Sequence, residues 1–177
     1  MKFTFCPTCG TQLIQKPIGD EGPMPFCPQC SQPVFDTFPC AFIALVTDGR
    51  GHILLLRQDY ISSQYANLVS GYMKMGESAE SCARREILEE TGLEVTSLTF
   101  AGTYWYARKQ MLMIGFFATA AATTQTIGGE PDNQSTPPPL HLSAEVPSAS
   151  WVPAWEALSL VHPPGSVSHS LVKAFLS

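Results

Sequence analysis

The sequence predicts an α+β fold preceded by a small cysteine-rich domain. Four apolar runs have the length and composition of strands, and the segment between the second and third carries helix signals at both ends. Four of the six cysteines fall into two Cys-x-x-Cys pairs near the N-terminus. Hydrophobic residues make up 45% and charged residues 14% of the 177 residues, a composition that excludes a disordered chain.

The cysteine pairs predict a zinc ribbon over residues 1–36. The pairs are Cys6 with Cys9 and Cys27 with Cys30, and 17 residues separate them, the spacing of a four-cysteine zinc site. Each tight turn aims two thiolates at one ion, and two turns complete a tetrahedral shell. The alternatives are two disulfides or a redox pair. We expect zinc, because the N-terminus lacks the apolar run of a secretory signal and a cytoplasmic location keeps thiols reduced.

The elements of the second predicted domain, residues 37–177, follow in order. A buried strand at 38–46 and a returning strand at 53–56 form a hairpin around the turn at 48–51. Residues 59–70 are expected to form a polar loop. The helix spans 78–91, with Ser78 as N-cap and Gly92 just past its end. Further predicted elements are strands near 95–106 and 111–121 and short helices at 153–161 and 167–176.

Residues 123–139 break this pattern. They contain a Gly-Gly pair and a run of three prolines at 137–139, which exclude regular structure. We expect a mobile surface insertion here. No uninterrupted apolar run approaches the ~20 residues of a membrane span, so we expect no membrane partner.

Three glutamates converge on one side of the predicted helix. Glu86 and Glu90 are i, i+4 neighbours, and Glu86 and Glu89 are i, i+3 neighbours. The carboxylates repel one another unless a divalent cation such as Mg²⁺, which takes oxygen ligands, binds between them. The alternative is a solvated acidic face in which Arg85 pairs with Glu89.

The wider spacing around these glutamates identifies a motif. Residues 71–93 fit the pattern Gly-x5-Glu-x7-Arg-Glu-apolar-x-Glu-Glu-x-Gly-apolar at every fixed position, from Gly71 through Glu77 and Arg85 to Leu93. This pattern is the Nudix box, so the chain resembles Nudix hydrolases. The resemblance implies an α/β/α sandwich with a mixed sheet after the zinc ribbon.

The resemblance also implies roles for individual residues. Metal ligands for Mg²⁺ or Mn²⁺ would be Glu86, Glu90 and Glu145, aided by the Ser70 carbonyl. Glu77 and Arg85 would pair to orient the loop and the helix. Glu89 would be a further ligand or the general base. From the residues themselves, Tyr104, Trp105 and Tyr106 offer stacking faces for a base, and the alternative is that they are ordinary strand residues with one face in the core. Lys74 and Arg108 offer phosphate contacts, and the alternative is that they are ordinary surface charges.

A zinc ribbon directly before the box resembles the NADH pyrophosphatase branch and the related ADP-ribose and FAD pyrophosphatases. This implies hydrolysis of a nucleoside diphosphate joined to another moiety, such as NAD(H), ADP-ribose or FAD, with release of a nucleoside monophosphate. The branch's proline-rich motif after the box is replaced here by residues 103–111, which leaves the substrate open. The enzymes that it resembles are commonly dimers, which suggests a homodimer.

Charge distribution separates this interpretation from its competitors. The net charge is −5, and residues 77–94 alone contribute −4, from six acids and two bases. The acid excess therefore marks a cation site, and the cation would attract phosphate. The predicted ribbon has few bases, a poor footprint for a nucleic-acid partner. A nucleotide-sensing regulator that binds such a ligand without turnover remains the alternative to an enzyme.

Overall fold

The computed structural model describes residues 2–58, 62–122 and 137–177, and these divide into two compact units, 1–38 and 39–177. The predicted insertion at 123–139 lies outside the described residues except for its three prolines. No helix in these described ranges is both long and apolar enough to cross a membrane.

The first unit is a three-stranded antiparallel sheet in the order β1-β2-β3, formed by Ile14–Pro17, Pro23–Cys27 and Gln32–Pro33. Within residues 2–38, its buried apolar side chains are Cys6, Cys27 and Val34 alone, with three partly buried residues packed around them. Gly10 follows the first cysteine pair with a φ of 74°, the left-handed conformation that glycine adopts without strain.

The second unit is built on a six-stranded mixed sheet. Its strands are β4 (Cys40–Thr47), β5 (His52–Arg57), β6 (Val69–Tyr72), β7 (Leu93–Tyr106), β8 (Met111–Ala122) and β9 (Ser148–Pro153). The order is β7-β8-β4-β5-β9, and β6 also pairs with β4. Among the strand pairings of the described residues, β4–β8 alone is parallel, which makes the sheet mixed as expected.

Strand β4 is buried on both faces, as its uninterrupted apolar sequence predicts. Phe42, Ala44 and Val46 belong to one core cluster, together with residues of helix α1 (Ala79–Thr91). The alternate residues of β4 belong to a second cluster, with residues of helices α2 (Ala154–Leu160) and α3 (Val167–Leu176). Because successive strand residues face opposite sides, the two clusters place helices on both faces of the sheet.

Two strands differ from the sequence prediction. Strand β6 begins at Val69, inside the stretch 59–70 that we predicted to be a loop, so that prediction is wrong at its end. Strand β9 follows the prolines and pairs along β5 from His52 to Arg57. Both strands are defined by long-range pairing rather than by a strong local apolar pattern.

Candidate functional site

Helix α1 begins and ends at the residues that the sequence predicts. The Ser78 hydroxyl accepts a hydrogen bond from the Ser81 backbone N–H, which satisfies one free donor of the first turn. Gly92 has a φ of 72° and closes the last turn by donating its N–H to the Leu88 carbonyl. A Cβ on Gly92 would lie 2.7 Å from the Cβ of His141, so glycine is required for space as well. These two caps set the bounds of the helix that carries Glu86, Glu89 and Glu90.

Arg85 organises the carboxylates at the start of the site. Its Nε and Nη2 donate to the two oxygens of Glu77 at 2.7 and 3.0 Å, and its Nη1 donates to Glu86 at 2.7 Å and to Glu89 at 3.1 Å. The Lys74 backbone N–H also donates to Glu77 at 2.9 Å. The bidentate pair with Arg85 and this N–H lower the pKa of Glu77 to about 2, so the carboxylate is ionised at neutral pH.

Glu90 is buried and has no partner for one of its oxygens. The residue is 6% exposed, and its Oε2 has no hydrogen bond among the described residues. Burial, followed by the charges of Glu86, Glu145 and Glu89, raises its pKa to about 7. A buried carboxylate without a partner is costly, and a divalent cation is the chemistry that would satisfy it.

Gly71 allows Glu86 to approach strand β6. A Cβ at this position would lie 2.7 Å from Glu86 Cδ and 2.9 Å from Glu86 Oε1. Any side chain at Gly71 would therefore displace the carboxylate. The glycine that opens the motif is thus explained by contact with the first glutamate of the predicted metal site.

The segment that carries Glu145 is tied to the end of helix α1. The His141 N–H donates to the Thr91 carbonyl at 2.9 Å, and the Ser143 N–H donates to the Glu90 carbonyl at 3.1 Å. These bonds satisfy carbonyls that the helix end leaves free. They also bring Glu145, 54 residues further along the chain than Thr91, to the cavity beside Glu90.

A cavity of about 610 Å³ joins these groups. It is lined by seven of the predicted site residues, namely Ser70, Lys74, Glu86, Glu90, Tyr106, Arg108 and Glu145. Sequence reasoning gave no metal or substrate role to the other seven lining residues, namely Ala41, Gly71, Tyr72, Met73, Lys109, Met111 and Met113. For Lys109 and Met111, their position beside Arg108 was the one available signal. The volume is in the range of small-molecule sites.

Five predicted site residues do not line this cavity. Arg85 contacts the lining residue Glu86, and Glu77 contacts Arg85. The Glu89 side chain is 55% exposed. Tyr104 packs across Gly115, where a Cβ would lie 2.8 Å from its ring. Trp105 is 55% exposed and, by strand alternation, faces the other side of β7 from Tyr104 and Tyr106.

Glu86, Glu90 and Glu145 line one cavity, but their carboxylate oxygens do not all lie within 4.8 Å of one another. In the part of the chain that the structure describes, only the four cysteines bring three or more such atoms within 4.8 Å of one another. The donor set itself is all oxygen, which fits Mg²⁺ or Mn²⁺.

The four cysteines of the first unit form a compact thiol cluster. Cys6 and Cys30 Sγ atoms are 3.9 Å apart, and those of Cys9 and Cys27 are 3.5 Å apart. The Thr11 hydroxyl, 3.3 Å from Cys9 Sγ, is the main cause of a lowered pKa for Cys9. The neighbouring thiols, Cys9 first, raise the pKa of Cys30. The geometry is compatible with a tetrahedral Cys₄ zinc site.

The remaining cysteines, Cys40 and Cys82, take no part in the thiol cluster. Cys82 is fully buried on helix α1, where its Sγ lies 3.6 Å from Arg85 Nη2, and burial raises the pKa of its thiol to about 12. Cys40 is half-buried at the start of β4. A thiol with so high a pKa is unreactive, so Cys82 acts as a small core side chain.

Comparisons with known proteins agree with this architecture. The NUDIX domain family model matches residues 37–171. A NUDIX hydrolase from Nitrosomonas europaea superimposes with a TM-score of 0.62, 17% identity, and coverage of 97% of this chain and 89% of that one. The NUDIX domain of Shewanella oneidensis NrtR, solved in complex with ADP ribose, superimposes with a TM-score of 0.57 at 16% identity, covering 85% and 92%. These likenesses confirm the predicted fold class.

Sequence relatives point to one group. The NAD-capped RNA hydrolase NudC of Vibrio vulnificus is 28% identical over 177 residues, covering 97% of this chain and 59% of the relative. The NudC of Pasteurella multocida is 30% identical over 171 residues, covering 96% and 58%. That of Pseudomonas aeruginosa is 33% identical over 114 residues, covering 64% and 40%. The chain therefore spans about two fifths to three fifths of the length of these relatives.

Proposed function

The chain belongs to the Nudix family, and from this premise we propose that it is a metal-dependent pyrophosphatase. The proposed reaction is hydrolysis of the pyrophosphate bond in a nucleoside diphosphate joined to another moiety, with release of a nucleoside monophosphate. One observation carries this proposal. Glu90 presents a buried, unpartnered carboxylate oxygen beside Glu86 in a cavity large enough for a nucleotide.

Glu86, Glu90 and Glu145 are the proposed ligands for Mg²⁺ or Mn²⁺, with the Ser70 carbonyl as a further oxygen. When bound, such a cation neutralises phosphate oxygens and lowers the pKa of a bound water. The fit is supported by the all-oxygen donor set, by the cradle that Gly71 leaves for Glu86, and by the unpaired Glu90 oxygen.

Arg85 is the proposed positioning residue. Its Nη1 donates to Glu86 while its Nε and Nη2 donate to Glu77, so Glu86 is held in one orientation before substrate binds. Glu89 is the proposed general base, because it is an exposed carboxylate on the same helix face that Arg85 contacts at only one oxygen. Preorganised carboxylates avoid reorganisation during the reaction.

The proposed substrate class is NAD(H), ADP-ribose, FAD or a related compound. Support comes from the relatives named as NAD-capped RNA hydrolases, which the chain matches over part of their length. Because those relatives act on the end of an RNA, a capped oligonucleotide belongs in the same class. Tyr106 supplies an aromatic wall for a base, and Lys74 and Arg108 supply cations at the cavity.

For the first unit we propose a structural zinc ion on Cys6, Cys9, Cys27 and Cys30. A four-thiolate shell leaves no open position, so this ion would hold the fold rather than take part in hydrolysis. The proposed location is cytoplasmic, because two Cys-x-x-Cys pairs that bind a metal must stay reduced. A homodimer remains the proposed assembly, on the resemblance alone.

A substrate panel tests the function. NADH, NAD⁺, ADP-ribose, FAD and an NAD-capped oligonucleotide are incubated with the protein, with and without Mg²⁺, and products are read by mass spectrometry. We expect Mg²⁺-dependent release of a mononucleotide, at least about a hundredfold slower for Glu86→Gln because metal charge stabilisation is lost. Glu89→Gln should slow turnover of the same substrate if it removes the proton.

Glu80→Gln is the matched control, since Glu80 is an exposed carboxylate in the first turn of the same helix and lies outside the cavity lining. It should retain wild-type turnover. Binding of a panel compound without any turnover would contradict the proposal and favour a nucleotide-sensing regulator. Equal turnover in Glu86→Gln and wild type would remove the metal assignment.

A further inference from the structure

Cations are concentrated at the cavity. Three of the eight Lys and Arg residues in 39–177 line it, namely Lys74, Arg108 and Lys109. Among the described residues, none of the three forms an ion pair with a carboxylate, whereas Arg85 pairs with three glutamates. Cations at a cavity that are left without acidic partners are available to an anionic ligand.

The Lys109 ammonium and the Glu86 carboxylate lie beside successive residues of strand β6. Gly71 faces Glu86, which a Cβ there would touch, and the next residue, Tyr72, has its ring centroid 5.9 Å from the Lys109 ammonium. Glu86 and Lys109 both line the cavity. The cavity therefore presents a carboxylate beside Gly71 and a cation beside Tyr72.

The turn that carries these cations is held in an uncommon conformation. Ala107–Lys109 is a single 3-10 turn between β7 and β8, and Gln110 closes it with a φ of 47° and an N–H donated to the Ala107 carbonyl. A non-glycine residue with positive φ is uncommon, and such positions cluster at functional sites. The conformation puts Arg108 and Lys109 together at the cavity instead of extending the hairpin.

We propose that Lys109 and Arg108 form a subsite for a phosphate group beyond the diphosphate that is cleaved. This proposal rests on the proposed function of the same cavity. The proposed metal ligands Glu86, Glu90 and Glu145 serve the diphosphate, so Arg108 and Lys109, which form no ion pair among the described residues, are left for a further anionic group. The substrate class then narrows to nucleotides with a third phosphate, either a monoester on the ribose or the next phosphate of a nucleotide chain.

Three nucleotides distinguish between these two sources of a third phosphate. Adenosine 5′-monophosphate lacks the additional phosphate, the 2′,5′-bisphosphate carries the ribose monoester, and the 3′,5′-bisphosphate carries the phosphate of a chain. Dissociation constants are measured by titration calorimetry in Mg²⁺ for wild type, Lys109→Met and the control Lys173→Met. Lys173 is an exposed lysine in the last turn of α3 and lies outside the cavity lining.

We expect wild type and Lys173→Met to bind one bisphosphate roughly tenfold more tightly than the monophosphate, the effect of one charge-assisted contact. Lys109→Met should lose that preference and keep its affinity for the monophosphate. The preferred isomer identifies the source of the third phosphate. Equal affinity of wild type for all three nucleotides would overturn the proposal, as would a loss in Lys109→Met that is equal for all three.

The same samples distinguish this proposal from the proposed hydrolase activity. A bisphosphate preference that depends on Lys109, in a protein that cleaves none of the panel compounds, would leave the subsite standing and refute the hydrolase. Cleavage of the panel compounds without any bisphosphate preference would support the hydrolase and refute the subsite.

Discussion

The Arg85 guanidinium holds the Glu77 carboxylate by two parallel hydrogen bonds, Nε to Oε1 at 2.7 Å and Nη2 to Oε2 at 3.0 Å. Glu77 precedes helix α1 and Arg85 lies on its second turn, so the pair joins the loop after β6 to the helix. The third nitrogen, Nη1, reaches Glu86. One side chain thus sets the position of a proposed metal ligand and of the loop beside it.

The first prediction concerns the shape of that contact. Arg85→Lys keeps the positive charge but cannot hold Glu77 and Glu86 at the same time, because an ammonium lacks the planar fork. We expect kcat to fall by roughly 10–100-fold, as is typical when a partner of a metal ligand is lost, with a change in Tm of only a few degrees.

Arg84→Lys is the control for this substitution. Arg84 is exposed and donates to the Val95 carbonyl, away from the glutamates. Steady-state kinetics with the substrate identified by the panel should be unchanged in this variant. If Arg85→Lys matched it in kcat, the bidentate contact would be dispensable for positioning.

The second prediction separates the binding and stability effects of Glu90. Its carboxylate is buried beside other acids and one oxygen has no partner. In protein treated with EDTA, Glu90→Gln should raise Tm, because an amide removes a buried negative charge. Adding Mg²⁺ should raise the Tm of wild type by a few degrees through binding to the native state, and the variant should lose this shift.

Tryptophan fluorescence suits the measurement, because all three tryptophans lie in residues 39–177. Glu94→Gln, an exposed carboxylate on β7, is the control and should show the wild-type response to Mg²⁺. A Glu90→Gln protein that gained stability from Mg²⁺ as wild type does would exclude Glu90 as a ligand.

Local signals explain which elements were predictable. Helix α1 carries its cap at Ser78 and its stop at Gly92, and β4 is an uninterrupted apolar run, so both follow from the sequence. Strand β6 has only four residues, of which only Val69 is fully buried, and it exists because it pairs with β4. No local pattern distinguishes such a strand from a loop.

The site shows the same difference between residues placed by local sequence signals and residues placed by tertiary contacts. Glu86 and Glu90 are fixed by helical spacing, so their shared face could be predicted. Lys109 and Met111 reach the cavity because a short turn closed by Gln110 packs beside Tyr72, which is a tertiary relationship. Tyr104 and Tyr106 share a strand face as predicted. Of these two, only Tyr106 lines the cavity, because the Tyr104 ring packs against Gly115.

The third prediction concerns the cysteine cluster. The first unit has too few buried apolar residues to fold on a core alone, so metal binding would supply much of its folding free energy. Cys27→Ser should lose about one equivalent of zinc, measured by mass spectrometry of the metal. Residues 1–38 should then become sensitive to limited proteolysis. Cys40→Ser, outside the cluster, should keep its zinc.

Wild-type protein without zinc, with protease-resistant residues 1–38, would contradict the zinc assignment. Free reaction of the four clustered thiols with a thiol reagent in freshly purified protein would also contradict the zinc assignment.

The fourth prediction is a pH dependence of stability set by Asp48. Its side chain is buried in the turn between β4 and β5. Burial raises the pKa of this carboxyl, but N–H donors from Arg50 at 2.7 Å and His52 at 3.1 Å, with the His52 ring, outweigh it, so the pKa is lowered overall. A lowered pKa adds stability above the ordinary pKa of Asp, about 4, and this is lost as pH falls further.

Asp48→Asn should therefore be less stable than wild type at neutral pH. The difference should shrink as pH falls below about 4, because the wild-type carboxyl is then progressively protonated. Urea unfolding followed by tryptophan fluorescence gives the free energy of unfolding at each pH. A difference that stayed constant down to pH 2 would mean that hydrogen-bond geometry, not charge, makes Asp48 stabilising.

The fifth prediction tests which aromatic residue of β7 contacts the substrate. Tyr106 lines the cavity, whereas Trp105 faces away from it on the strand. Tyr106→Leu should raise KM by about tenfold, since base stacking on an aromatic ring is worth ~1–3 kcal/mol, while kcat changes less because the carboxylates are untouched. Trp105→Leu should leave KM unchanged if the cavity is the substrate site. An increase in KM for Trp105→Leu alone would instead place the base on the outer face of β7, as the sequence by itself allowed.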